Sequence, residues 1–340
     1  ENVPAGSRRG FSGFTQQMAA MKNGAAALLI INKSSTPTAV KGNMYVNRYH
    51  KTQRINTFYI SEKLAGKIVG PGYAAQKVAA RAGSYTPQIY SANVALSFNK
   101  TTITMQSSNV LGILEGSDLK DEYVVLTAHY DHLGKRDDTI WYGADDDGSG
   151  TVTILELAKA FTKAKAAGKG PRRSILFMMV SGEEKGLWGS DYYTLHPAYP
   201  LDKTTVNLNI DMIGRIDPSR KHGDSSNYIY IVGDNKLSSD LKPISEAINK
   251  KYSKLELDYK YNNPGDPERI YYRSDHYNFA KNGVPVIFYF SGLHPDYHKP
   301  TDTPDKINYR LMQKRAQLIF FTSWDMANRN DMLKRDIPLQ

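Results

Sequence analysis

From about residue 96 the chain repeats one pattern: a short apolar run, a polar loop, then apolar positions at helical spacing. Tyr123 to Ala128 is apolar, β-branched and bounded by polar residues, which predicts a buried strand. Ser174 to Val180 (SILFMMV) and Val284 to Phe290 (VPVIFYF) are continuously apolar, as strands covered on both faces are. Val206 to Ile210 and Tyr228 to Val232 predict two more. Val152, Leu155, Ala158 and Phe161, with Ile154 and Leu157, give a helix one apolar face. Ser238 to Lys250 and Asn308 to Asn328 read as further helices. Alternating segments between Ala92 and Leu114 predict strands at a sheet edge or meander. The whole predicts an α/β fold: a mixed, mainly parallel sheet sandwiched by helices.

The first 95 residues differ. Phe11 to Lys22 predicts an amphipathic helix ended by Gly24. Ala25 to Asn32 (AAALLIIN) and Ile55 to Ile60 predict strands, and Ser61 caps a helix running to about Val69. This stretch holds one histidine, His50, and no dense cluster of acids, so it predicts no chemistry. Gly83 to Gln88 is rich in Gly, Ser and Pro and marks a linker. Two domains follow: a small N-terminal α/β lobe over residues 1–95 and a larger domain over 96–340.

Composition narrows the classes. The net charge is +10, but Lys and Arg are spread along the chain, which speaks against nucleic acid as a partner. Cysteine is absent, so neither disulfides nor thiolate ligands are available. No apolar run is long enough for a membrane-spanning helix. The chain opens on Glu1 rather than Met and shows no secretory signal, which fits an exported protein, periplasmic or extracellular, after removal of a leader.

The chemistry gathers between Asp121 and Gly150 and at later strand ends. Predicted strands run out at His129, before Glu184, at Asp211 and before His298, and Asp146 stands at a helix entrance. Singly, these are ordinary turn, cap or surface residues. Together they fall where open α/β sheets build their sites. Oxygen and imidazole donors suit a zinc-like divalent ion. The run Asp145-Asp146-Asp147, flanked by glycines, would repel itself unless positive charge sat among the carboxylates.

The motifs His129-x-Asp131, Gly143-Ala-Asp-Asp146-Asp-Gly-Ser-Gly150, Ser181-Gly-Glu183-Glu184, Asn209-Ile-Asp211 and Tyr297-His298-x-Pro-x-Asp302 occur in this order. The set resembles the co-catalytic dizinc aminopeptidases of the M28 peptidase family, over roughly residues 100–330. Residues 11–70 resemble part of a protease-associated domain. The resemblance implies two zinc ions, one held by His129 and Asp211, the other by Glu184 and His298, with Asp146 bridging. It implies a cis peptide bond after Asp146, and it places Asp147 where the family often has Asn. Glu183 would be the general base, Asp131 would accept the second ring N–H of His129, and the Tyr297 hydroxyl would stabilise an oxyanion. His132 and His294 read as loop or supporting residues, Ser274-Asp275-His276 as a family segment without a metal role, and His50, His196 and His222 as ordinary polar histidines. Tyr271, Tyr272, Tyr277 and Phe288 read as core or pocket wall. The implied activity is removal of N-terminal residues from peptide substrates through a water between the metals. The rivals are a glutaminyl-cyclase-like aminoacyltransferase, a carboxypeptidase on the same fold, and a non-catalytic binding protein, the last disfavoured by Glu183 and the complete ligand set.

Overall fold

The structure, a computed structural model, describes residues 13–31, 55–99 and 105–339. It forms two compact units, Glu1–Thr104 and Met105–Gln340. The predicted helix start at Phe11, the strand end at Asn32 and His50 lie outside the described residues.

In the first unit, α1 (Gly13–Lys22) leads to β1 (Ala27–Ile31), which pairs in parallel with β2 (Asn56–Ile60). Helix α2 (Glu62–Val69) starts at Ser61, whose hydroxyl accepts the Leu64 N–H at 3.2 Å, an N-cap that satisfies one of the free first-turn donors. Helix α3 (Tyr73–Arg81) follows. Ala65 is the one deeply buried side chain among this unit's described residues.

The second unit carries β3 (Val110–Leu114), β4 (Leu119–His129), β5 (Gly134–Arg136), β6 (Thr139–Trp141), α4 (Gly150–Ala166), β7 (Arg173–Val180), α5 (Trp188–Leu195), β8 (Thr204–Ile210), β9 (Tyr228–Val232), α6 (Leu241–Ile248), β10 (Glu256–Asp258), α7 (His276–Ala280), β11 (Val286–Phe290) and α8 (Tyr309–Asn328). Its main sheet runs β10-β9-β11-β8-β4-β7-β3. The central strands β7, β4, β8 and β11 are parallel; β9 runs antiparallel to β11, and β3 to β7. This is the mixed, mainly parallel sheet the apolar runs predict.

Alternate residues of the central strands serve opposite layers. Val124, Leu126 and Ala128 of β4 pack with Ile154, Leu157 and Phe161 of α4 and Leu318 and Ile319 of α8. Val125, with Leu176 and Met178 of β7, faces the other layer, which includes Phe279 of α7 and Phe288 and Phe290 of β11. Burial on both faces is why these strands read as continuous apolar runs.

One expectation fails. Residues 91–99 and 105–109 form no strand, and of the predicted segments β3 alone is one. Val94, Leu96 and Phe98 are exposed, and none of the strands among the described residues pairs with them. Alternation without a partner strand does not hold a ladder together.

Because the central strands are parallel, their carboxyl ends share one edge. There β4 delivers His129, β7 leads into Ser181-Gly182-Glu183-Glu184, β8 leads into Asp211, and β11 leads into the loop that carries His298.

Candidate metal centre

Two groups of donors meet at that edge. His129, Glu183 and Asp211 form one, and His132, Asp146 and Glu184 the other, each with its donor atoms within 4.8 Å of one another. Asp146 reaches both sides. Its Oδ1 lies 3.1 Å from His129 Nε2 and its Oδ2 lies 3.1 Å from His298 Nε2. On the first side His129 Nε2 is 3.8 Å from Asp211 Oδ1 and 3.9 Å from Glu183 Oε2. On the second, His298 Nε2 is 3.1 Å from Glu184 Oε2. The structure thus brings His129, Asp146, Glu184, Asp211 and His298 together, with Glu183 beside them.

These atoms crowd without pairing. His129 Nε2, Asp146 Oδ2 and Glu184 Oε1 are buried and make no aligned hydrogen bond. Buried polar atoms normally find partners. Imidazole and carboxylate atoms converging on two points, with no sulfur among them, fit zinc.

The backbone around the donors is fixed from several elements. The peptide bond between Asp146 and Asp147 is cis. Asp147 does not face the donors; it clamps three chain segments, accepting N–H bonds from His129 at 3.2 Å, Gly150 at 2.9 Å and Met212 at 3.2 Å. Both oxygens accept N–H groups, which an Asn, with one oxygen and an NH2, could not match at both. Asp302 is fully buried and accepts the N–H groups of Asp145 at 3.0 Å and Asp146 at 3.2 Å. Asp145 accepts the Gly214 N–H at 2.6 Å and lies 3.3 Å from His294 Nε2, which gives His294 a supporting place. Sequence reading named no partner for Asp302; its hydrogen bonds come from main-chain N–H groups, and Arg215 Nη1 lies 3.9 Å from its Oδ1.

The expected role of Asp131 changes. His129 Nδ1 sits 2.8 Å from the main-chain oxygen of Asp131, while the Asp131 carboxylate is 3.9 Å away. The turn after β4 therefore sets the His129 tautomer, leaving Nε2 to face the donors. The carboxylate instead accepts the Glu183 N–H at 3.1 Å and fixes that residue's backbone.

Two residues support Asp211: Ser274, which the sequence placed in a segment without a metal role, and Thr127, which it did not single out. Ser274 donates to Asp211 Oδ2 at 2.7 Å and accepts from Asn209 at 2.8 Å; Thr127 donates to Asn209 at 2.6 Å. This buried relay joins β4, β8 and the loop before α7. Asp275, also buried, accepts from Ser190 at 2.5 Å. His276 touches no donor; it stacks on Phe288 with ring centroids 4.7 Å apart.

Electrostatics follow from crowding. Burial pushes Glu183 well above the usual carboxylate range, and it pushes Asp211 up to about 7, in both cases against the pull of His129. Burial also raises Asp146, but the close imidazoles of His129 and His298 outweigh it and hold the acid below its ordinary value. Burial lowers His129, yet Asp146, Glu183 and Asp211 together hold it well above an ordinary imidazole. Acids packed this closely keep protons unless positive charge is shared among them.

An open pocket adjoins the donors. Asp146, Glu183 and Asp211 line it on one side, and Met212, Ile270, Phe288, Phe290 and Leu293 form an apolar wall. Tyr297 and Arg273 stand in its lining, and the Arg273 guanidinium donates to the Tyr297 hydroxyl oxygen at 3.1 Å. Burial and the Asp146 carboxylate raise Tyr297 above the ordinary phenol range, so its hydroxyl keeps a proton to donate.

The model of peptidase family M28 matches residues 109–322. The chain belongs to peptidase family M28. Among curated relatives, a probable leucine aminopeptidase of Arthroderma otae is 30% identical over 217 residues, 62% of this chain and 56% of that protein. Aminopeptidase YwaD of Bacillus subtilis is 26% identical over 228 residues, 65% of this chain and 45% of that protein. The chain spans about half the length of the curated relatives it matches. Among solved structures, an aminopeptidase from Aneurinibacillus sp. strain AM-1 aligns with a TM-score of 0.60 at 20% identity, covering 97% of this chain and 71% of that one. BSAP, a zinc aminopeptidase from Bacillus subtilis, aligns with a TM-score of 0.51 at 23% identity, covering 68% and 53%. These likenesses fix the M28 fold, and the donors lie within the span the family model matches.

Proposed function

We propose that this M28 chain is a dizinc aminopeptidase that hydrolyses the first peptide bond of its substrates. The observation that carries the reading is Asp146, which presents one oxygen to His129 and the other to His298. The first zinc would be held by His129, Asp146 and Asp211, the second by Asp146, Glu184 and His298. When bound, the pair supplies Lewis acidity: it lowers the pKa of water and polarises the scissile carbonyl. The relatives' names support zinc and reading of the amino end.

The remaining work falls to this chain's own side chains. Glu183 lines the pocket, whereas Glu184 is absent from its lining. Glu183 is therefore the carboxylate that takes a proton from water and passes it to the leaving amine. Its backbone is held by Asp131. Tyr297, its hydroxyl oxygen engaged by Arg273, would offer its proton to the developing oxyanion. The apolar wall takes a nonpolar N-terminal side chain. It disfavours cyclisation of N-terminal glutamine, whose amide would lose its hydrogen bonds there.

Glu183→Gln keeps size and removes the base. The variant should keep two zinc ions and near-normal KM while kcat falls by about 10²–10⁴. Glu184→Gln should lose affinity for one zinc and regain activity with added metal. Elemental analysis with kinetics on leucyl anilides at saturating zinc separates the two. Metal loss in Glu183→Gln with retention in Glu184→Gln would reverse the roles.

A further inference from the structure

The second donor group contains one imidazole more than the ligand set of the proposed function uses. His132 Nδ1 lies 2.8 Å from Glu184 Oε1 and 3.9 Å from Asp146 Oδ2. Neither ring nitrogen makes an aligned hydrogen bond, although both are buried. A neutral imidazole carries one donor and one acceptor, and burying both unpaired is costly. The ring meets His298 edge-on, with centroids 5.8 Å apart and planes at 66°. It is also pinned from behind. A Cβ on Gly143 would fall 2.5 Å from His132 Cγ, and Gly143 adopts a φ of +62° that glycine alone takes up easily. The inward turn of His132 is thus built into the loop ahead of Asp146.

We propose that His132 is a fourth protein ligand of the second zinc, through Nδ1, beside Asp146, Glu184 and His298. The inference rests on the two-zinc reading. It makes the centre asymmetric. The first zinc has His129, Asp146 and Asp211 and keeps a position free for water and the substrate carbonyl. The second has four protein donors, which hold a zinc more tightly than three. Metal therefore leaves the first position before the second.

The test uses the full chain loaded with zinc. A crystal structure should show His132 Nδ1 about 2.0–2.1 Å from the second zinc, the distance of a bound imidazole. An Nδ1 more than about 3 Å from that zinc and donating only to Glu184 overturns the inference, because Zn–N bonds are far shorter. In solution, His132→Ala should release the second zinc at a chelator concentration at least about tenfold below that needed for the parent, with release of the first unchanged. Equal release of the second zinc from variant and parent overturns the inference as well. A parent that takes up fewer than two zinc ions overturns the two-zinc reading, and this inference with it. Two zinc ions without His132 bound overturn this inference alone. Should His132→Ala not fold, the parent's crystal structure still decides.

Discussion

Glu183 and Glu184 are adjacent and chemically identical, yet the turn after β7 gives them different neighbours. Glu183 enters the pocket beside His129 and Asp211, and Glu184 meets His132 and His298. That pair was legible in sequence because it forms part of an ordered motif set. His132 was not. Whether a loop histidine turns inward depends on how closely another segment passes, here Gly143, and spacing alone does not reveal that. Asp131 was legible as a residue but not as a role, because a main-chain oxygen does for His129 what its carboxylate was expected to do. His276 supports a prediction at this scale. Burial pushes it down to about 3 from the ordinary imidazole value of 6.5. The unfolded chain's imidazole takes a proton from about pH 6.5 downward, while the folded one stays neutral until about 3. Stability is then full above about 6.5 and falls as pH drops through that window, by at most about 1.4 kcal/mol per pH unit. His276→Phe, which keeps a flat ring against Phe288, should flatten that acid slope. Urea midpoints of metal-free parent and variant at neutral and mildly acidic pH measure it; parallel curves would show that His276 does not contribute.

At the scale of elements, the strands that carry the site were the most legible part of the chain. Strands β4, β7, β8 and β11 are buried on both faces, so each must be apolar throughout, and each run stops where a polar donor begins. Helix α3 and the short pair β5 and β6 have no such signature: no described residue of α3 is buried, and β5 is exposed along its length. What sequence could not give is the closeness of the approaches that align the donors. Gly150 shows one. A Cβ there would lie 2.3 Å from the Ile210 carbonyl and 2.5 Å from Asp147 Oδ1. Helix α4 thus starts flush against the end of β8, and Asp147 bonds both. Gly150→Ala forces the helix start away from the strand. We expect a loss of about 1–3 kcal/mol, the usual cost of overpacking. Because Asp146 and Asp211 flank this contact, zinc affinity should fall with it. Unfolding of metal-free protein gives the first quantity and zinc competition the second. A stable variant with unchanged affinity would mean that α4 can retreat without disturbing either ligand.

At the scale of the molecule, the donors that come together among the described residues all belong to one of the two units. The donors run from His129 to His298, inside Met105–Gln340. The absence of clustered histidine and acid from the first 95 residues was readable in the sequence, since a site of this kind needs several such residues and they are simply not there. No helix among the described residues is long and apolar enough to cross a membrane. Between α3 and β3 the described chain has no regular structure, and Tyr85, Ile89, Val94 and Leu96 are exposed. Protease needs local chain without hydrogen-bonded structure, and this segment offers it. Limited chymotrypsin digestion of the zinc-loaded protein should therefore cut first between residues 84 and 97. The C-terminal fragment keeps the seven-stranded sheet and every donor, so it should keep the parent's zinc content and the zinc-dependent part of its thermal stability. Mass spectrometry locates the cut, and elemental analysis of the purified fragment counts the metal. A fragment that loses zinc would show that the first unit holds the centre in place. A first cut within the loops bearing Asp146 or Glu183 would show that the donor edge, and not the segment after α3, is the looser part of the chain.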